Sequence, residues 1–121
     1  MRRKTIESGS AETRTATYVK SFGRGSTERL ELYHLSSPAH YQSRVWNRRS
    51  RELKVSAGTV ENVIVSSLLH SLGENAPVTM LFAAMENGGI LSMLPMAGSL
   101  VGEVDHQKAL RKLGYEPIKP G

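Results

Sequence analysis

The chain has 121 residues, 39% of them hydrophobic, and a formal net charge of +5, which suits one domain with a modest core of its own. It contains no cysteine, so disulfides, thiolate zinc sites and a cysteine nucleophile are excluded and a reducing compartment is suitable. The charge is uneven: residues 1–54 carry twelve Lys and Arg against five Asp and Glu, whereas residues 55–121 carry four against six, so an anionic partner is expected at the front half.

Residues 1–12 begin Met1-Arg2-Arg3-Lys4 and include one large apolar residue, Ile6. Such a segment buries too little surface to offset the entropy of ordering, and it lacks the apolar stretch of a secretory signal. The expectation is a flexible basic tail ahead of a single α+β domain over residues 13–121, located in the cytoplasm. From Thr13 to Phe22 and again from Glu28 to Leu35 the residues favour strands, and Gly23-Arg24-Gly25-Ser26 supplies a turn, so a hairpin is predicted. Ser36-Ser37-Pro38 reads as a helix start, with serine as a cap and proline in the first turn, and predicts a helix over residues 39–53.

That helix would place Arg44, Arg48 and Arg51 in one outward stripe and turn Trp46, the sole tryptophan, with Leu53 towards the core. The alternative, an extended arm over residues 44–54, would put Trp46 on the same face as Arg44 and Arg48 and make it a platform for base stacking. Residues 61–69 and 78–84 are apolar, β-branched runs of strand length, separated by a turn at residues 73–77. Asn87-Gly88-Gly89 is turn chemistry that predicts a hairpin between residues 78–85 and 90–93. Asp105 caps a short helix with Ala109, Leu110 and Leu113 as its apolar stripe, Arg111 and Lys112 in its last turn and Gly114 as its stop. A small antiparallel sheet packed with one or two helices follows from these elements. The longest apolar stretches, residues 78–85 and 90–101, fall short of a bilayer crossing, so no membrane partner is expected.

Catalytic signatures are missing. Gly23-Arg24-Gly25-Ser26-Thr27-Glu28 lacks the third glycine of a dinucleotide fingerprint, and Gly98-Ser99-Leu100-Val101-Gly102 has the offsets of neither a nucleophile elbow nor a phosphate loop. His34, His40, His70 and His106 have no metal-ligand spacing, and Asp105 beside His106 is read as a helix cap rather than as the orienting acid of a base. No metal, cofactor or enzymatic activity is expected. Phe82 lies mid-strand with Met80 and Ala84 on one face and Leu81, Ala83 and Met85 on the other. Both faces are therefore apolar, and a second copy of the protein is expected to cover one of them. Phe82 would fill the core, or stack on a base if its face opened into a pocket.

The stretch Asn62-Val63-Ile64-Val65-Ser66-Ser67, then Thr79-Met80-Leu81-Phe82-Ala83-Ala84, Glu86-Asn87-Gly88-Gly89-Ile90, Gly98-Ser99, Asp105-His106-Gln107-Lys108-Ala109-Leu110 and Leu113-Gly114-Tyr115-Glu116 resembles a pattern of small phage and prophage proteins. Small phage and prophage proteins of this pattern show an acidic residue and a tryptophan where this chain has Met93-Leu94-Pro95-Met96, and within them the chain resembles the phage Thoeris anti-defence family. The resemblance covers residues 62–116 and implies a non-enzymatic homodimer that sequesters a cyclic ADP-ribose-type signal of the host's defence. It also implies that Phe82 stacks on the base while Arg111, or the cluster Arg44, Arg48 and Arg51, holds phosphate. The leading expectation is thus an accessory protein that binds a small nucleotide-type anion. The alternatives are a nucleic-acid-binding protein that grips the backbone with its basic tail and residues 44–54, or a phage inhibitor or assembly protein that binds an acidic surface, such as a host defence protein.

Overall fold

The structure, a computed structural model, describes residues 13–23, 28–68 and 77–119. The expected flexible tail, the turn residues 24–27, His70 and most of the turn at 73–77 lie outside the described residues. The chain forms β1 (Thr15–Gly23), β2 (Glu28–Asn47), β3 (Glu52–Leu68), β4 (Val78–Ala84), β5 (Leu100–Val101), α1 (His106–Leu113) and β6 (Glu116–Ile118). One curled, six-stranded sheet results, in the order β5-β4-β3-β2-β1-β6. Every neighbouring pair is antiparallel except β1 with β6, which runs parallel.

This overturns the expected α+β class. The protein is mostly β, with 61% strand, 9% helix and a single helix, and the sheet is a mixed half-barrel. The helix expected over residues 39–53 does not exist: residues 39–47 belong to β2 and pair residue by residue with residues 52–60 of β3. The Ser36-Ser37-Pro38 signal marks a bulge, because four residues of β2 between His34 and Ala39 stand opposite Glu61 alone. A bulge tolerates proline, which has no N–H to give a ladder. Ser36 Oγ accepts the Thr15 N–H at 2.9 Å, and Tyr115 donates its hydroxyl to the Ser37 and Pro38 carbonyls at 2.9 and 3.1 Å. Local helix chemistry thus lost to cross-strand pairing and to a tyrosine far along the chain.

The inner face of the curl holds the main core. Tyr33, Leu35, Val63, Val65, Leu81 and Ala83 point there by alternation along their strands, and α1 closes over them with Ala109 and Leu110 fully buried. As the sequence predicts, Asp105 caps α1 by accepting the Lys108 N–H at 2.9 Å, and Gly114 ends it in the left-handed region at φ 110°. The helix carries the chain from β5 at one edge of the sheet to β6 at the other, so one short element covers the inner face. Residues 85–99 bridge between β4 and β2. Leu91 N–H donates to Ala83 O, Ser92 Oγ to Gln42 O and Met96 N–H to Leu81 O. The hairpin expected between residues 78–85 and 90–93 is reduced to one bridge, Ala84 with Ile90. Gly98 lies at φ 102°, and a Cβ there would sit 2.7 Å from both the Ala109 carbonyl and a Leu81 methyl, so this close passage beneath α1 requires glycine.

On the outer face Leu32, Ile64 and Ala84 cluster with Phe22 and Leu30. Phe82 is 7% exposed and Ala84 1%, so this part of β4 is already buried in the single chain, without the second copy invoked from its two apolar faces. Among the described residues no helix is long and apolar enough to cross a membrane.

Candidate functional site

Two polar regions stand out, and the first is sealed inside. Glu31 on β2 is 3% exposed, Ser67 on β3 3% and His106, the first residue of α1, 7%. His106 Nδ1 lies 2.5 Å from Glu31 Oε1 and Nε2 lies 2.9 Å from Ser67 Oγ. The same carboxylate accepts the Tyr33 hydroxyl at 3.1 Å on Oε1 and Arg29 Nη2 at 3.0 Å on Oε2. Burial raises the Glu31 carboxyl, but the hydrogen bond and charge of His106, with Arg29 and Tyr33, outweigh it and leave the group below its ordinary value. Burial also pushes the His106 imidazole below its ordinary value, against the pull of Glu31. At neutral pH the pair is therefore a carboxylate and a neutral imidazole. Since a carboxylate only accepts, Nδ1–H donates to Glu31 and Ser67 donates its hydroxyl to Nε2.

The order serine, histidine, acid is that of a hydrolytic triad, but its surroundings differ. A cleft of about 270 Å³ opens over the network, lined by Arg29, Glu31, Tyr33, Asp105, His106 and Lys119 among others, and Ser67 is not part of its wall. In a triad the serine faces the substrate, whereas Ser67 is buried and outside the cleft wall, so the imidazole has no cleft-facing serine to activate. What the arrangement does is fasten α1 to β2 and β3. Thr79 Oγ1 assists by donating to the Glu103 carbonyl at 2.8 Å and accepting the Asp105 N–H at 3.1 Å. Among the described residues no group of three or more acidic or histidine side chains could hold a metal.

The second region is exposed. β1 pairs with β2 only as far as Leu35, and β4 with β3 only as far as Asn62, so residues 39–47 and 52–60 continue beyond them as a two-stranded ribbon. Its base is anchored by Ala39 and Val60, which are buried. Ser43 and Ser56 bond through their hydroxyls at 2.8 Å, Arg44 and Val45 still line a cleft with Leu91, Ser92, Met93 and Leu94, and the ribbon continues past them to its tip. Residues opposite each other in an antiparallel pair share a face. Arg44 with Val55 and Trp46 with Leu53 therefore form one face, and Val45 with Lys54 lies on the other. Trp46 is 57% exposed, and Val45, Leu53 and Val55 are exposed to a similar extent.

Asn47 shapes the tip by accepting the Arg49 and Ser50 N–H groups at 2.9 and 3.2 Å, an Asx turn that holds residues 48–51 in a tight reversal. Arg51 completes it at φ 55°, in the left-handed region that most side chains avoid. Residues 44–54 thus carry Arg44, Arg48, Arg49, Arg51 and Lys54 against Glu52 alone. All five cations are exposed, and among the described residues none makes an ion pair, unlike Arg29, Lys108 and Arg111.

The residues singled out from sequence do not converge. Arg44, Arg48 and Arg51 share the ribbon, but Phe82 is buried on the outer side of β4. Arg111 lies on α1, across the sheet, where it makes a two-pronged pair with Glu116 at 3.3 and 3.1 Å beside a shallow cleft that includes Arg14 and Tyr115. Trp46, placed in the core by the helical reading, is instead the aromatic that belongs with the arginines, as the extended-arm alternative has it. Glu31, Ser67 and their link to His106 escaped the sequence reading, since the partners are 75 and 39 residues from His106. No protein-family model matches the chain, and neither a curated protein nor a solved structure matches it.

Proposed function

We propose that this protein binds nucleic acid through the β2–β3 ribbon. The observation that supports this reading is the combination of five exposed cations, none of them in an ion pair among the described residues, with an exposed Trp46–Leu53 face on a ribbon that runs beyond the strands flanking it. A solvated arm needs no tryptophan, and an apolar self-association face would not surround itself with like charge. A polyanion with stackable bases matches both halves of the surface. A two-stranded ribbon is also narrow enough to follow a groove or a single backbone. The reading is of a binding protein; its affinity comes from contacts and from counterion release rather than from turnover.

The test is an anisotropy titration of a labelled oligonucleotide with the full chain across a range of salt. If all five cations contact phosphate, log K should fall against log salt with a slope of about −3.5 on a single strand and −4.5 on a duplex. Each change of Arg48, Arg49 or Arg51 to alanine should lessen that slope by about 0.7 to 0.9 and weaken binding regardless of base sequence. Undetectable binding at low salt, or a slope untouched by all three changes, would overturn the proposal.

A further inference from the structure

We infer that the nucleic acid taken by the ribbon is single-stranded, with a base stacked on Trp46 beside Arg44. This rests on the ribbon reading above and adds what the partner must look like. Four exposed apolar side chains crowd the last turns of the ribbon: Val45, Trp46, Leu53 and Val55, each more than half exposed. On the Trp46 face, Leu53 lies directly opposite the indole, and the next pair inward is Arg44 with Val55. The face therefore presents, in order from the tip, a π surface flanked by an aliphatic side chain and then a cation flanked by another. Two residues along a strand advance about 7 Å, so the guanidinium stands one step from the indole on the same side.

A duplex offers such a face little. Its outer surface is phosphate and sugar, its base faces are covered by stacking, and reaching them requires a wedge that unstacks a step at a cost of a few kcal/mol. A single strand presents unpaired base faces next to each phosphate, and an aromatic platform followed by a cation is the arrangement that accepts one nucleotide with its base stacked and its phosphate paired. The remaining cations lie at and just below the tip, where Arg48, Arg49 and Arg51 can continue along the backbone without reading sequence. Stacking is indifferent to base identity, so the preference would be for strandedness and only weakly for sequence.

Trp46 is the only tryptophan in the chain, so its emission reports on the proposed contact without labelling. Two readouts on the full chain separate the claims: anisotropy of a labelled oligothymidylate reports binding, and the intrinsic emission reports stacking. The expected result is saturable quenching of Trp46 emission that follows the anisotropy curve, at least tenfold weaker binding to a hairpin duplex of matched length, and a loss of about 5- to 100-fold on the single strand for Trp46→Ala. Trp46→Phe should retain most of the affinity, and the far-ultraviolet circular dichroism of both variants should be unchanged because the side chain is exposed. Binding by anisotropy with no change in emission, or equal affinity for duplex, or an unaffected Trp46→Ala, would overturn single-strand stacking while leaving the ribbon as a polyanion site. No binding to either oligonucleotide would overturn both.

Discussion

The two polar regions of this protein solve opposite problems with the same strands. β2 and β3 contribute Glu31 and Ser67 to a network that water hardly reaches, and twelve to fifteen residues away along each strand they contribute Arg44–Val55 and Trp46–Leu53 to an exposed surface. In the buried region every charge has named partners, because an unpaired ion there would cost several kcal/mol. Among the described residues none of the ribbon's five cations is paired and four apolar groups lie open, an arrangement that costs little in water and leaves both kinds of group available to a ligand. The contrast separates holding from binding: partners already satisfied within the chain cement the fold, and groups left unsatisfied at the surface are where a second molecule adds something. Salt should distinguish the two regions as well, since screening acts on the exposed arm far more than on the sealed pair.

The comparison breaks most readily at His106. His106→Ala takes one hydrogen-bond donor from the buried Glu31 carboxylate, which keeps Arg29 and Tyr33 as partners, and the expected loss is about 2 kcal/mol, seen as a fall of roughly 8 °C in Tm. Oligonucleotide affinity measured well below that Tm should be unchanged. Replacing both Glu31 and His106 by leucine should recover much of the loss, because the expense lies in a buried carboxylate short of a hydrogen-bond donor rather than in the absence of the pair. If the double variant is less stable than His106→Ala, the network is worth more as a unit than its charges imply.

Acid probes the same region less severely. Both groups have lowered values in the fold, from 6.5 for His106 and 4.5 for Glu31, so the unfolded chain binds protons before the folded one does. The stability they contribute is complete above pH 6.5. It is lost as pH falls through the lowered value of His106, and further as it falls from 4.5 through the lowered value of Glu31. The urea midpoint should therefore decrease from pH 7.5 to pH 5, and the decrease should be smaller in the double leucine variant; a midpoint that rises on acidification would reverse the assignment of a neutral imidazole.

What was legible in the sequence followed the range over which each signal acts. Asp105 and Gly114 bracket α1 through contacts within one or two turns, and β4 shows as a short apolar run, so both were readable. The ribbon was not, because residues 39–53 have little β-branched content and begin with Ser-Ser-Pro, which in isolation is a good helix start. A clue was present in period two: Ala39, Tyr41 and Val45 alternate with His40, Gln42 and Arg44. The decisive partner, however, is the unassuming stretch of residues 52–60, which became a strand only by pairing. The buried network was hidden for a different reason. Strand alternation puts Arg29, Glu31 and Tyr33 on one face, but whether that face meets water depends on a helix that arrives 75 residues later.

The smallest predicted effect on stability is at the ribbon tip, and it separates conformation from charge. Arg51 occupies φ 55°, where a Cβ is penalised and glycine is not, while glycine also loses more freedom on folding. The two terms nearly offset, so Arg51→Gly should change stability by no more than about 1 kcal/mol, in the direction of gain if the strain dominates. The same change removes one cation, so it should weaken oligonucleotide binding and lessen the salt slope as much as an alanine would. Arg51→Ala keeps the strain and loses the charge. Equal binding losses with a more stable glycine variant would assign Arg51 to the ligand rather than to the turn; binding retained by glycine and lost by alanine would mean that the shape of the tip, and not its charge, is what the partner meets.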